Sequence, residues 1–151
     1  MSYSSQAMLL LLKLAKREVD VAAEQLAKAH RAVNESKAQK EQLLFYRHEY
    51  VVKNAVRLSQ GMTVTDLQNF QAFLDSIDSA IKSQEVVIEQ YLEVVKMHMK
   101  FWQTCEAKKR KYEILIEKNK QEKRVLEQKS EQKLMDEFAI THRQFQAVVF
   151  H

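Results

Sequence analysis

Histidine, cysteine and the acidic residues are the side chains through which this chain of 151 residues could bind a metal or carry out catalysis. The single cysteine is Cys105, and the five histidines are spread over the whole length: His30, His48, His98, His142 and His151. No histidine lies four residues from a second metal-binding type of side chain, a spacing that would place two ligands on one helical face. We therefore predict no catalytic site, no metal and no cofactor, so the protein is not expected to be an enzyme.

The backbone that must position these side chains has one glycine, Gly61, and no proline. Average usage is roughly 7% Gly and 5% Pro, and tight turns depend on both residues. An all-β fold is therefore excluded, and so are glycine-rich phosphate-binding loops. A hydrophobic content of 46% argues against disorder. The composition predicts a small number of very long helices.

Heptad patterns mark two such helices. After Gly61, apolar or aromatic residues recur at a and d positions over seven heptads, which predicts a left-handed coiled coil. The a positions are Leu67, Leu74, Ile81, Ile88, Val95, Trp102, Lys109 and Ile116, and the d positions are Phe70, Ile77, Gln84, Tyr91, His98, Cys105, Tyr112 and Asn119. The earlier helix shows Leu12, Val19, Leu26 and Val33 at one position, and Ala15, Ala22 and Ala29 at the next. Its pattern thins at Ser36 and Lys40 and recovers at Leu43 and Tyr50, followed by Val51, Ala55 and Leu58 in a shifted phase.

The predicted fold is all-α: a long two-helix antiparallel coiled-coil hairpin in a single domain spanning residues 1–151. Helix one is expected over about 4–59, the turn over about 59–63 and helix two over about 64–140, with an uncertain tail at 141–151. Gly61 can end helix one in the left-handed conformation, and Thr63 can cap helix two. Folding back at Gly61 places Met8 opposite about Glu113, so helix two should overhang helix one beyond about Leu115.

A basic stretch begins shortly before this predicted overhang and continues into it. Residues 107–133 contain ten Lys or Arg and five Asp or Glu, and they begin with the run KKRK at 108–111. Several opposite charges are four residues apart, which is typical of an exposed, solvated helix face. The alternative interpretation is an electrostatic docking surface for an acidic partner.

An apolar cluster follows the basic stretch. It consists of Leu134, Met135 and Phe138, with Phe145 further along. An overhang has no internal core to bury these side chains. They belong either to a frayed, mobile tail or to a partner-binding end of the helix, and we favour the partner-binding interpretation.

Several short strings in this order resemble the FliJ family, soluble components of the bacterial flagellar type III protein export apparatus. The resemblance covers about residues 8 to 140. The strings are LAKREVD at 14–20, followed by Ala22 and Ala23; Tyr46, Glu49 and Tyr50; NFQ-x-FL at 69–74; Trp102 with the basic residues 108–110; and MDEFA at 135–139. Residues 140–151 do not resemble the family.

The resemblance implies an adaptor or stalk in flagellum assembly and motility. Such proteins bind the hexameric export ATPase and promote its assembly or activity, contact the cytoplasmic domain of the membrane export gate, and handle export chaperones. The implied gate-contacting residues are Phe73, Ile77, Ala80 and Gln84, the last at a place where the family can have histidine. For contact with the ATPase ring we predict Leu134, Met135, Phe138, Lys108, Lys109 and Arg110.

The expected location is the cytoplasm, with peripheral association at the cytoplasmic side of the inner membrane through the export apparatus. The chain shows no secretory signal and no apolar run of about 18 residues or more. Two alternatives stay open: a secretion stalk of a virulence injectisome, and a basic coiled coil that binds membrane or nucleic acid. We expect no nucleic acid partner. A central stalk of a rotary ATPase fits less well, because such stalks usually carry an additional α/β domain.

Overall fold

The computed structural model describes residues 5–149, which form two α-helices, α1 (Ser5–Gln60) and α2 (Val64–Val149). The helices pack against each other in an antiparallel hairpin and the described residues contain no strand, which confirms the predicted fold class. Helix α2 includes residues 141–149, for which the sequence pattern left the structure open. The predicted first residue of helix one, Ser4, and the last two residues of the chain lie outside the described residues.

The turn between the helices has the two features that its sequence predicts. Gly61 has a φ of 97°, in the left-handed region that L side chains rarely adopt. Thr63 caps α2: its Oγ1 accepts a hydrogen bond of 3.1 Å from the Asp66 backbone N–H, and its carbonyl accepts one of 3.0 Å from the Leu67 N–H. The chain therefore reverses at the place where its only glycine stands.

The described residues divide into two compact units. The hairpin unit comprises residues 18–105 and includes the turn. The terminal unit comprises residues 5–17 of α1 together with residues 106–149 of α2. In both units, residues of α1 contact residues of α2, and the two helices run in opposite directions.

Burial in the hairpin unit follows the predicted heptads of α2. All buried residues of this helix stand at a or d positions: Phe70, Leu74, Ile77, Ile81, Ile88 and Cys105. Their counterparts on α1 include Val19, Ala22, Ala29 and Val33. Cys105 packs with Val19 and Ala22, and Trp102 covers this cluster. At two predicted positions, Leu67 and Tyr91, the side chain is instead more than one third exposed.

The predicted phase shift on α1 is wrong. The heptad continues unchanged toward the turn, with Ser36 and Asn54 buried and Lys40, Leu43, Arg47 and Tyr50 half-buried. Of the three residues in the predicted shifted phase, Val51 is half-buried, but Ala55 and Leu58 are exposed. Leu44 and Tyr46 are exposed as well. Polar side chains can occupy the seam here because each is small or has a partner; the Asn54 amide, for example, donates a 2.8 Å hydrogen bond to the Tyr50 carbonyl. A pattern based on apolar residues alone could not follow such a seam.

Pairing in the terminal unit extends further along α2 than the sequence pattern suggested. Met8 contacts Asn119, with 3.8 Å between the Asn119 amide nitrogen and the Met8 sulfur, and it does not face Glu113. Lys123 Nζ donates a 2.6 Å hydrogen bond to Ser5 Oγ. About half of the difference arises because Met62 and Thr63 belong to the turn, so the centre of the hairpin lies beyond Gly61. From Lys120 to Val149 every residue is exposed, so the overhang predicted for helix two is present.

Candidate protein-binding surfaces

Among residues 5–149, no group of three or more His, Cys, Asp or Glu side chains is arranged so that it could hold a metal ion. His98 is half-buried and Cys105 is a buried free thiol. Both therefore lie in the helix–helix seam at their predicted heptad positions. Over the same residues, neither helix contains a segment of the length and apolarity that a membrane crossing requires.

The four predicted gate-contacting residues lie on one line along α2 in the hairpin unit. Phe73, Ile77, Ala80 and Gln84 are spaced by four, three and four residues, which places them on one helical face. Their access to solvent differs: Phe73 is 36% exposed, Ile77 only 5%, and Ala80 and Gln84 are half-buried. Phe73 can meet a partner as the structure stands, whereas Ile77 is occupied by the core of the hairpin.

Two tyrosines of α1 complete this face. The ring of Tyr50 lies 4.4 Å from that of Phe73 and 5.3 Å from that of Phe70, measured between centroids. Tyr46 meets Phe73 edge-on at 6.1 Å. The tyrosines were not predicted as site residues. The sequence contains a signal for them: Tyr50 and Phe73 are separated from Gly61 by similar numbers of residues, so an antiparallel hairpin that turns at Gly61 places them side by side.

Polar contacts between the helices flank Ile77 and Ala80. Arg47 Nε donates a 2.6 Å hydrogen bond to Asp78 Oδ1, and its Nη2 lies 3.5 Å from Oδ2. The hydrogen bond to Asp78, together with the charge of that carboxylate, raises the pKa of Arg47. Gln84 Nε2 donates to the Ser36 carbonyl at 3.0 Å and to Gln39 Oε1 at 2.9 Å. These contacts hold Gln84 against α1 and leave only part of its side chain accessible.

The basic run opens the α2 segment of the terminal unit. Lys108 and Arg110 are exposed. Lys109, at a heptad position, is half-buried and forms a salt bridge of 3.2 Å with Glu106. The three predicted cations thus differ in exposure, since only Lys109 is half-buried.

The predicted apolar contact residues lie further along the same helix and are strongly exposed. Leu134, Met135 and Phe138 expose 63%, 72% and 73% of their surface. Arg110 and Leu134 are 24 residues apart in the sequence, so the two groups are about 36 Å apart along the helix. The structure therefore does not bring the basic run and the apolar cluster together, although one helix carries both.

The apolar surface continues past the predicted cluster. Phe145 is 66% exposed and Val148 is 78% exposed. The ring of His142 stacks on Phe138 with 6.2 Å between centroids and an interplanar angle of 9°. The signal for this continuation is present in the sequence, since Phe138 and Phe145 are seven residues apart and so lie on one face.

Comparison with known proteins identifies a family. The family model for FliJ, described as Flagellar FliJ protein, matches residues 4–146. The chain is 26% identical over 129 residues to the Flagellar FliJ protein of Salmonella typhi, with 85% of this chain and 88% of the relative covered. It is 27% identical, with the same coverage, to the Flagellar FliJ protein of Escherichia coli (strain K12). Because the family model matches nearly the whole chain, this protein belongs to the FliJ family of flagellar proteins.

Proposed function

We propose that this flagellar export component is a non-enzymatic adaptor that binds and promotes the hexameric export ATPase, contacts the cytoplasmic domain of the export gate and handles export chaperones. The observation that carries the proposal is the segment of α2 from residue 120 to 149, where every residue is exposed and the last described contact with α1 is the hydrogen bond from Lys123 to Ser5. A helix that is accessible on all sides can be surrounded by the subunits of a ring.

The chemistry of the terminal unit supports contact with such a ring. The basic stretch favours acidic groups around the helix, and Leu134, Met135 and Phe138 offer apolar area to an interface. A change in ring contacts upon ATP binding would act on this helix without any chemistry on the chain itself. The nucleotide state of the ring would thus be coupled to the position of the helix.

Contact with the export gate is assigned to the hairpin unit. Phe73, supported by Tyr46 and Tyr50, forms the accessible centre of that surface, with Ala80 and Gln84 at its edge. Exposed aromatic rings are frequent anchors of protein interfaces. Because gate and ATPase contacts are assigned to different units, one chain could serve both partners. Binding to the apparatus would hold it on the cytoplasmic side of the inner membrane.

ATPase stimulation tests the role of the terminal unit. Purified protein should raise the ATP turnover of the cognate export hexamer, and deletion of the chain from Lys133 onward should abolish the increase. A triple substitution, Leu134→Ser, Met135→Ser and Phe138→Ser, should have the same effect, because it removes the apolar contact area.

The matched control changes three other exposed apolar residues of the terminal unit to serine, namely Ile114, Val125 and Leu126. This control should still stimulate the ATPase. If the truncated chain stimulates as well as the full chain, the proposed ring contact is wrong. Salt-sensitive binding of the full chain to anionic lipid or DNA, in the absence of stimulation, would instead favour the membrane or nucleic acid alternative.

A pull-down with the cytoplasmic domain of the export gate tests the hairpin surface. Phe73→Ala should weaken binding while the circular dichroism spectrum stays unchanged, because this ring is partly exposed. Phe101→Ala on the same helix, where Phe101 is 52% exposed, should leave gate binding intact. Ile77→Ala is expected to destabilise the protein by about 2–5 kcal/mol, because it empties a core position. Unchanged binding of Phe73→Ala would contradict the assignment.

A further inference from the structure

The apolar surface at the end of α2 is a regular stripe. Leu134, Phe138, Thr141, Phe145 and Val148 alternate spacings of four and three residues, the pattern with which one helix packs against another. All five are exposed, and no described residue of α1 lies over them. We call these five residues the terminal stripe.

The terminal stripe is not a continuation of the hairpin seam. The heptad of the seam, which includes Ile116 and Asn119, reaches Ser130, Lys133, Glu137 and Ile140 in this part of α2. The stripe residues Leu134, Phe138 and Thr141 each follow a seam position by one residue. The stripe therefore has a packing register of its own. A separate register of apolar residues on an uncovered helix indicates a second helix as the occupant.

The charges around the terminal stripe define the chemistry of that occupant. At about 100° per residue, Glu127 falls on the line of the stripe, and Glu131 and Glu137 lie about 60° to either side of it. Lys120 and Lys123 reach the same line only further toward the hairpin unit. Lys133 is the cation at its flank, whereas Lys129 and Arg143 fall on the opposite side of the helix. These carboxylates are exposed. From residue 127 to 149, the charges within about 60° of the stripe are therefore carboxylates, although the chain as a whole has a net charge of +4.

From these observations we propose that the terminal stripe binds a basic amphipathic helix of a partner protein, with Leu or Ile on its apolar face and Lys or Arg at the borders. Cations of the partner would meet Glu131 and Glu137 while its apolar residues cover Phe138 and Phe145. The stripe covers only about 20 Å of helix, which indicates a small interface and a transient complex.

This partner chemistry goes beyond the ring contact proposed above. The stretch at 107–133 favours an acidic surface, whereas the stripe favours a basic one. Leu134 and Phe138 belong both to the terminal stripe and to the proposed ATPase contact. In the ATPase contact they contribute apolar area only. The test below does not use the ATPase, so the two proposals can fail independently.

The test is a fluorescence anisotropy titration of the full chain with two labelled helical peptides of about 20 residues. Both carry Leu and Ile at a and d; one has Lys at e and g, and the other has Glu there. The wild type should bind the Lys peptide about tenfold more tightly than the Glu peptide, as expected for two or three exposed ion pairs. General attraction to a protein of net charge +4 would produce the opposite preference.

Two pairs of variants locate the binding surface. Phe138→Ser with Phe145→Ser should abolish binding, whereas Val125→Ser with Ile140→Ser, on the other side of the helix, should change the affinity less than twofold. Glu131→Lys with Glu137→Lys should remove or reverse the preference for the Lys peptide. The charge control, Lys129→Glu with Arg143→Glu, should leave that preference in place.

Three results would overturn the proposal. These are equal affinity for both peptides, a preference that survives reversal of Glu131 and Glu137, and binding that survives serine at Phe138 and Phe145. Sedimentation of the protein alone provides a fourth criterion. Self-association that the Phe138→Ser and Phe145→Ser changes dissociate would assign the stripe to a second copy of this chain and overturn the proposal as well.

Discussion

Asn54 lies at a buried position of the helix–helix seam although its side chain is polar. Its amide nitrogen donates to the Tyr50 carbonyl within α1, so burial does not leave this nitrogen without a partner. Ser36 is buried as well, and its carbonyl accepts a hydrogen bond from Gln84. Polar residues at such positions limit the apolar area that the seam can bury, and they define which residues of the two helices stand opposite each other.

Replacement of Asn54 by leucine is therefore expected to stabilise the protein. Asn54→Leu exchanges a locally satisfied amide for apolar area in the seam, and the free energy of unfolding should rise by about 1 kcal/mol. Asn34→Leu is the matched control, because Asn34 is an exposed asparagine of the same helix. Urea unfolding followed by circular dichroism measures both variants. A loss of stability in Asn54→Leu alone would show that the amide is needed at this position.

The Arg47 side of the Arg47–Asp78 pair keeps its charge at physiological pH. The hydrogen bond to Asp78 and the carboxylate charge raise the pKa of the Arg47 guanidinium above its ordinary value. A cation with a raised pKa stabilises the folded state below its unfolded-state pKa, and this stabilisation disappears only as the pH rises through the folded-state pKa. On the arginine side the pair is thus constant over the physiological pH range.

At the scale of the elements, the start of α2 depends on a single cap. Thr63 Oγ1 accepts the Asp66 N–H, which otherwise has no partner within the helix. Gly61 precedes it in the left-handed conformation, and an added Cβ there would meet no atom within 4 Å, so only the backbone angle restricts that position to glycine. The turn is specified by backbone chemistry and not by packing.

Thr63→Ala is expected to lower the free energy of unfolding by about 1 kcal/mol, because it removes the cap while changing no core contact. Thr65→Ala provides the control: Thr65 is exposed in the first turn of the same helix and does not cap it. Chemical unfolding of both variants measures the difference. Equal stability of the two would contradict the role of Thr63.

At the scale of the whole molecule, the buried side chains and the fully exposed segment lie in different parts of the chain. The hairpin unit contains most of the buried apolar side chains, whereas residues 120–149 are entirely exposed. Removal of the chain from Lys133 onward should therefore leave the thermal unfolding midpoint nearly unchanged, which is also the folding control for the ATPase experiment. A large drop in that midpoint would show that the overhang stabilises the rest of the protein.

The sequence by itself determined the fold class, the place of the turn and the heptad positions of α2. These follow from the breaker residues and from apolar periodicity, both of which act locally along the chain. Its single glycine could be assigned to the reversal because an uninterrupted helix must end where the backbone takes a positive φ.

Only the tertiary structure decided which surfaces are accessible. It showed that Ile77 is core while Phe73 is open, that Tyr46 and Tyr50 join the same surface, and that polar Arg47 and Asn54 continue the seam. It also placed the last contact between the helices beyond Glu113 and carried α2 through residues 141–149. The physical reason is that burial depends on which residues of the opposite helix stand alongside. A difference of a few residues in the pairing of two helices is invisible in the periodicity of either helix alone.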